Sequence, residues 1–400
     1  MAGITSTVIY IDPRDKSIHY YAMPEGQGRV LHEMRNYRAR DFDTEFYNAM
    51  SGALMDFFRK YPPSKASATS IVLPDSAFFS DTLSLPAMKS RNMTTSLTNT
   101  MNGMYKNRSA LTIQTFQAVQ NKQFSQICLT GIRNEMLNDI KAACTAAHLV
   151  AQNVTSAAEA TAIAVVTLCG KLKNDIFLLL DVKETFTRAV YVFKGRAVGS
   201  ILLPFGYEII NRPKPVAEDM LFDHPVAELA VLNAREKAKA KTLTVMDEGS
   251  DAAAMAEGGE EGGEESALGS GDQQVTVNRT DTTIKVLPKK MPRRLPKFMQ
   301  RPIPETPEGM ANENFRIFVK WALCFLGGNE RLAALGDVPT VYVNLPKEFE
   351  PVVAAANAEK AENGVEFAIP DLGKQDDMVA RQLEMYGGLF VTKGKSHNIF

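Results

Sequence analysis

The sequence has one tryptophan and four cysteines in 400 residues, and no excess of charge of either sign: 45 Lys and Arg stand against 46 Asp and Glu, a formal net charge of -1. That balance excludes a chain coated for nucleic acid, whose footprint is a strongly basic face. Strand pairs with interleaved aromatic and basic residues, the platform for single strands, are also lacking. Long apolar runs are missing too. The strictly apolar ones are as short as Ile176 to Leu180, and the small-residue stretch Ala157 to Cys169 is interrupted by Glu159, whereas a spanning helix needs about 20 such residues. The opening MAGITSTVIYID has no basic start followed by an apolar core, so no signal peptide and a cytosolic chain are expected. Cys128, Cys144, Cys169 and Cys324 lie in apolar segments without CxxC spacing, which predicts buried thiols in preference to a zinc site. The five histidines are scattered, and HExxH, GxSxG and P-loop lysine motifs are absent, which removes the commonest signatures of metalloproteases, hydrolases and P-loop enzymes.

What is present reads as an ordinary globular chain, with 45% apolar and 23% charged residues and a length that suits two to three domains at roughly 150 residues each. One composition break dominates. Residues 247 to 274 hold nine acids, no base and seven glycines, and residues 285 to 307 hold seven bases and six prolines. The first stretch has too little apolar surface to offset its ordering entropy, and the second is closed to regular helix by its prolines. The span 247–310 is therefore expected to be a flexible excursion, acidic then basic, either a solvated tether or a basic arm for anionic lipid or an acidic partner.

Around it, strands and helices alternate. TSTVIYID (5–12) reads as a buried strand with SIHYYAM (17–23) as its hairpin partner. Phe46, Met50, Leu54 and Phe57 make one apolar helical stripe, with Asp43 or Thr44 as its cap. Strands are expected at 69–74, 78–86, 110–118, 124–130 and 148–154, and helices at 94–105, 133–147 and 156–170. NDIFLLLD (174–181) is a second buried strand ending in Asp, followed by strands at 185–193 and 196–204. After the excursion come a helix at 312–327, a strand at 340–346, a helix at 348–361, a strand at 365–370 and a helix near 376–391.

One unit occurs twice: an apolar strand, an Asp at its C-terminal end, a short turn and a hairpin strand, in VIYIDPRDKSIHYYAM (8–23) and FLLLDVKETFTRAVYVF (177–193). Two halves that open alike suggest a duplicated α/β architecture. A carboxylate at a strand's C-terminal end sits where such folds bind ligands. Two readings stand for Asp12 and Asp181: caps of their turns, or groups that hold Mg²⁺ through water beside phosphates.

Four passages carry a more specific likeness: LPDSAFFSDTLSLPAM (73–88), SQICLTGIRNEMLNDIKAACTAAHLVAQNVTSAAEATAIAVV (125–166), DVKETFTRAVYVFKGRAVGSILLPFGYEI (181–209), and the succession NFRIFVKWALCFL (314–326), VPTVYVNLP (338–346), LEMYGGLFVTKG (383–394). In this order they resemble the PilM-like proteins of type IV pilus assembly, actin-like ATPase-fold relatives of FtsA. The resemblance spans nearly the whole chain except about 240–310. It implies a duplicated actin-like (RNase H-like) two-lobed α/β fold with a small inserted strand-helix-strand-strand subdomain. The first lobe is expected at 1–74 with 148–173, the insert at 75–147, the second lobe at 174–246 with 311–400, and the excursion at 247–310.

The departures bear on chemistry. The family's turn after the first Asp contains glycine, so that backbone N–H groups can wrap a phosphate. Here it is Pro13-Arg14-Asp15-Lys16-Ser17, without glycine; Lys183 stands at the expected glycine of the second loop, Glu184 adds negative charge, and Asn344-Leu345-Pro346 replaces the adenosine-side glycine run. Asp12, Asp181 and Thr187 keep the family's cofactor-binding positions. ATP and Mg²⁺ remain the implied cofactors, with weak or absent binding and negligible hydrolysis expected: a pseudo-ATPase, with no catalytic residue and no metal ligand assigned. The leading expectation is a scaffold at the cytosolic side of the inner membrane that binds the cytosolic tail of a PilN-like membrane protein, alongside other pilus platform proteins and without nucleic acid. Leu73, Phe78, Phe79 and Leu83 are candidate walls of that groove, or core residues of the insert. Self-association into a homo-oligomer stays open. The competing readings are an active actin-like ATPase, an FtsA-like membrane-associated filament former, for which the ending GKSHNIF provides no amphipathic basic helix, and another secretion-platform scaffold.

Overall fold

The computed structural model describes residues 4–12, 15–24, 31–38, 42–61, 63–105, 107–120, 124–149, 153–203, 205–212, 277–278, 304–327, 340–358, 366–372, 382–391 and 397–398. Most of the expected excursion 247–310, with Pro13, Arg14 and residues 376–381 of the expected last helix, lies outside them.

The first half opens with β1 (Ile4–Asp12), β2 (Ser17–Pro24) and β3 (Leu31–Asn36), then α1 (Thr44–Lys60) and β4 (Pro63–Leu73). The insert contributes β5 (Phe79–Pro86), α2 (Ser90–Met104), β6 (Leu111–Gln120) and β7 (Phe124–Arg133). The chain returns through α3 (Asn134–Ala146), β8 (Asn153–Ser156) and α4 (Ala157–Leu168). The second half repeats the plan with β9 (Ile176–Val182), β10 (Thr187–Phe193), β11 (Arg196–Leu203), α5 (Pro307–Gly327), β13 (Thr340–Asn344), α6 (Glu350–Ala358), β14 (Glu366–Ala368) and α7 (Leu383–Gly388). Two short strands, β12 (Val277–Asn278) and β15 (His397–Asn398), complete the set.

The sheets run β15-β8-β4-β1-β2-β3 and β11-β10-β9-β13-β14. In each, an antiparallel three-strand meander is extended by two parallel strands on the far side of its first strand. The same five-strand order twice, each followed by the same succession of helices, is the duplicated actin-like fold. β1 and β9 lie mid-sheet and are buried on both faces, so Val8 to Ile11 and Phe177 to Leu180 read as unbroken apolar runs.

The outer face of the first sheet (Ile9, Ile11, Ile71) packs on α1 and α3 through Phe46, Met50, Leu54, Met136 and Ile140. Leu178, Leu180 and Val343 of the second sheet pack on Phe315, Phe318 and Val353 of α5 and α6. The third helix of each half sits between the lobes. Ala158, Ala162 and Val165 of α4 lie on Phe177, Leu179 and Val190 of the second sheet, and Met385 of α7 lies on Val8, Tyr10 and Val72 of the first. The two helices meet at backbone distance: a Cβ on Gly387 would lie 1.7 Å from the Ala160 carbonyl oxygen. Asp43 caps α1, its Oδ1 accepting from the Phe46 N–H at 2.8 Å, and Ser156 caps α4 by accepting from the Glu159 N–H at 3.1 Å; such caps contribute about 1 kcal/mol each.

Three expectations need correction, and one strand was not foreseen. β15 pairs with β8 in the first sheet, so the chain's end does not belong wholly to the second lobe. The strand expected at 148–154 is Asn153–Ser156 instead; His148, at φ 55, sits in the left-handed turn that ends α3. β3 went unread because LHEMRN is a polar edge strand whose last three residues are exposed. Val277–Asn278, inside the expected excursion, pairs with Leu83 and Thr82 of β5.

Candidate functional site

Asp12 and Asp181 end the first strands of the two sheets on the faces that look into the interlobe cleft, and both are buried, Asp181 completely. Their surroundings differ. Asp12 Oδ2 is 3.4 Å from the Tyr10 hydroxyl, and its strand leads into a hairpin closed by Lys16 at φ 50, the left-handed region that favours glycine.

Asp181 sits in a knot of ions. Its Oδ1 accepts from the Asn344 amide at 2.8 Å, the register neighbour across β9 and β13. Its Oδ2 lies 3.0 Å from Lys183 Nζ and 3.6 Å from Arg188 Nη1, paired by charge and not in hydrogen-bond geometry. Lys183 Nζ donates to Glu384 Oε2 at 3.1 Å, and Arg188 Nη1 is 3.7 Å from the same oxygen. Arg188 Nε donates to Asp75 Oδ2 at 3.2 Å. The other Asp75 oxygen accepts from the Ala158 N–H at 2.9 Å, adding a carboxylate to the positive end of α4. Thr187 is buried, and its hydroxyl donates to the Phe205 carbonyl at 2.8 Å.

Burial opposes charge on Arg188, yet Glu384, Tyr10, Asp75 and Asp181 outweigh it and push its pKa up. Burial likewise pulls Glu384 up, but Lys183 and Arg188 prevail and hold its carboxyl below the usual range. Three carboxylates and two cations thus answer one another inside the cleft.

That arrangement does not fit a nucleotide with its metal. Asp181 accepts from Asn344 on Oδ1 and is ion-paired on Oδ2 with Lys183 and Arg188, and Lys183 is itself shared between Asp181 and Glu384. The second loop is braced from behind: a Cβ on Gly206 would lie 2.1 Å from the Lys183 carbonyl oxygen. The space left beside Asp181, Lys183, Tyr207, Asn344 and Lys347 is about 190 Å³, below the roughly 300–1,000 Å³ of ligand pockets.

A second feature lies where the insert meets the other lobe. Two shallow depressions of about 40 and about 30 Å³ share Thr130, Ser156 and Ala197, forming one groove along β11, the edge strand of its sheet. Phe116 walls one end, stacked under Arg196 at 5.4 Å and edge-on to Phe193 at 5.9 Å. Arg196 and the Ala197 N–H both bind the carboxylate of Glu159 on α4, at 2.6 and 2.7 Å. Phe78, Ser80, Ser200 and Asp75 line the other end. β11 carries a bulge, since Tyr191 pairs with Gly199 and Val192 with Ala197.

Of the candidate wall residues, only Phe78 lines this groove. Leu73 and Leu83 are 0% exposed and belong to hydrophobic cores, so neither can be a wall. Phe79 is half-buried against Tyr105 under α2. Asp75, Arg188 and Glu384 were missed. Arg188 left a signal: it is the charged residue at an inward position of β10, in step with Val190 and Val192.

No family model matches the chain, and no curated protein matches it. Among solved structures it is similar to a PilM-PilN type IV pilus biogenesis complex, at 11% identity and a TM-score of 0.49, over 97% of this chain and 97% of that one. It is similar to EutJ, an ethanolamine utilization protein from Carboxydothermus hydrogenoformans, at 10% identity and a TM-score of 0.34, over 96% and 89%. The cytoplasmic domain of EpsL, an inner membrane component of the type II secretion system of Vibrio cholerae, gives 8% identity and 0.34 over 50% of this chain and 71% of its own. Such values concern the fold alone, and the functional reading rests on this chain's own residues. No helix among the described residues is long and apolar enough to cross a membrane.

Proposed function

We propose that the chain is a non-catalytic adaptor of actin-like fold, serving a type IV pilus or related secretion platform by taking up the extended cytosolic tail of a PilN-like membrane protein. The observation that carries it is the state of Asp181: the carboxylate a nucleotide's metal would need is engaged on both oxygens by Asn344, Lys183 and Arg188. The groove along β11 supports the tail. An edge strand beside shallow depressions suits an extended peptide, whose backbone pairs with the edge. Phe78 and Phe116 supply the apolar ends. The location follows from the partner: a chain held to the inner membrane through a membrane protein's tail stays peripheral on the cytosolic side.

Two titrations of the full chain test this. A synthetic peptide of the PilN-like cytosolic tail is expected to bind with micromolar affinity and to lose at least tenfold in Phe116→Ala. A fluorescent ATP analogue with Mg²⁺ is expected to show no saturable binding. Micromolar affinity for the analogue that vanishes in Asp181→Ala overturns the reading, as does failure of the peptide to bind.

A further inference from the structure

We propose that Arg188 and Lys183 are resident cations that clasp the two lobes in one fixed arrangement, so that closure of the cleft needs no ligand. The groups come from separate parts of the fold. Asp75 follows β4 of the first sheet, Asp181 lies near the end of β9 of the second, Lys183 precedes β10 and Arg188 lies on it, and Glu384 is on α7, which packs against the first sheet. Arg188 is the shared member, reaching Asp75 at 3.2 Å, Asp181 at 3.6 Å and Glu384 at 3.7 Å. Its guanidinium is therefore ion-paired with both lobes at once, its five donors spread over a planar fork. Lys183 repeats the link between Asp181 and Glu384 at 3.0 and 3.1 Å.

The energetics make this a clasp and not an ornament. Arg188 is 2% exposed and Asp181 0%, so separating the lobes would either carry unpaired charges through a low-dielectric gap or admit water to all of them together. The opening is thus all-or-none. Asp75 ties the network to its surroundings: one oxygen takes Arg188 while the other caps α4 at Ala158, and the residue also lines the groove. The clasp stands on geometry that does not depend on what the groove binds.

Hydrogen exchange over Ala157–Leu168 and small-angle scattering of the full chain test it, and neither readout involves the peptide. Wild-type scattering and exchange are expected to be unchanged by ATP with Mg²⁺ and by EDTA. In Arg188→Met, which leaves three carboxylates against one ammonium, exchange at the start of α4 is expected to rise roughly 100- to 1,000-fold, with an enlarged radius of gyration. Asp75→Asn keeps Arg188 paired with Asp181 and Glu384 and is the milder variant should the first not fold; roughly tenfold faster exchange is expected there. Wild-type values in Asp75→Asn, or a wild-type chain that closes only on adding nucleotide, overturns the clasp. If the clasp fails while the peptide still binds, the adaptor reading survives without it, and the reverse holds too.

Discussion

The cleft and the groove are both junctions between lobes, yet they are built from opposite materials. The cleft sets Asp75, Asp181 and Glu384 against Lys183 and Arg188 in a buried network. The groove is lined mostly by neutral residues, Ser80, Thr130, Ser156, Ala197 and Ser200, with an aromatic ring near each end. A buried charge is tolerable only with its partner at a fixed distance, so the cleft is committed to one geometry. Neutral side chains beside an edge strand cost less to cover, and the charges at the groove, Glu159 with Arg196 and Asp75 with Arg188, are already paired. In this chain the cleft holds the buried ion network, and the junction beside it is lined mostly by small neutral side chains.

The contrast breaks first at Arg188. Arg188→Met is expected to cost about 3–5 kcal/mol in urea unfolding, because the carboxylates it leaves are buried, while a variant that also neutralises Asp75 and Glu384, leaving Lys183 paired with Asp181, regains most of that loss. Next come the glycines that bring backbones together around the cleft. A Cβ on Gly387 would lie 1.7 Å from the Ala160 carbonyl oxygen and one on Gly206 2.1 Å from that of Lys183. Backbone cannot swing aside as a side chain can, so Gly387→Ala and Gly206→Ala are each expected to cost about 1–3 kcal/mol or more, read as a lower urea midpoint at unchanged slope. A cost near zero at Gly387 would mean that α4 and α7 do not meet so closely and that the lobes are not locked.

How much of this was legible follows from where each residue lies. β1 and β9 were readable because mid-sheet strands are apolar on both faces, and α1 because Phe46, Met50, Leu54 and Phe57 repeat at helical spacing on its buried face. β3 was not, because an edge strand exposed along half its length has no apolar period to detect. Asp181 was visible as a strand-end carboxylate, but its fate was not, since Asp75, 106 positions earlier, and Glu384, 203 positions later, are brought to it only by the folding of both lobes. For Leu73 and Leu83 the sequence left wall and core both open, because apolarity marks core and groove alike; their full burial favours core.

A smaller effect sharpens the contrast through pH. On the cleft side of the first sheet, His19 Nδ1 and His32 Nε2 lie 3.1 Å apart with stacked rings, and His19 Nε2 is 2.9 Å from the Ser17 hydroxyl. Burial lowers the pKa of His19 against the opposing pull of Asp12, Glu384 and Asp15. Burial and then the neighbouring His19 lower that of His32, against Glu33. Groups whose folded pKa lies below the unfolded value of 6.5 stabilise the fold above that value and lose the contribution as pH falls through the folded pKa. Stability is therefore expected to drop from pH 7 toward pH 5, with a slope no steeper than about 1.4 kcal/mol per pH unit for each group, and the double variant His19→Gln/His32→Gln is expected to flatten it. Glu384, depressed by its cations, contributes in the same sense at lower pH. A slope unchanged in the double variant would place the acid sensitivity in the ion network alone.

The smallest expected effect on stability is the most informative about the groove. Ser200 is half-buried on edge strand β11, opposite Val190 of β10, and lines the groove beside Ala158, Ser156 and Phe78. Ser200→Trp lays a large ring over that shallow depression, on the half-buried face of an edge strand. The shift in unfolding free energy is expected within about 0.5 kcal/mol, as for substitutions away from core and network, while the tail peptide is expected to lose at least tenfold in affinity because its path is filled. If Ser200→Trp destabilises the chain by several kcal/mol instead, the groove is packed interior like the cleft, and the distinction between a committed junction and an open one disappears.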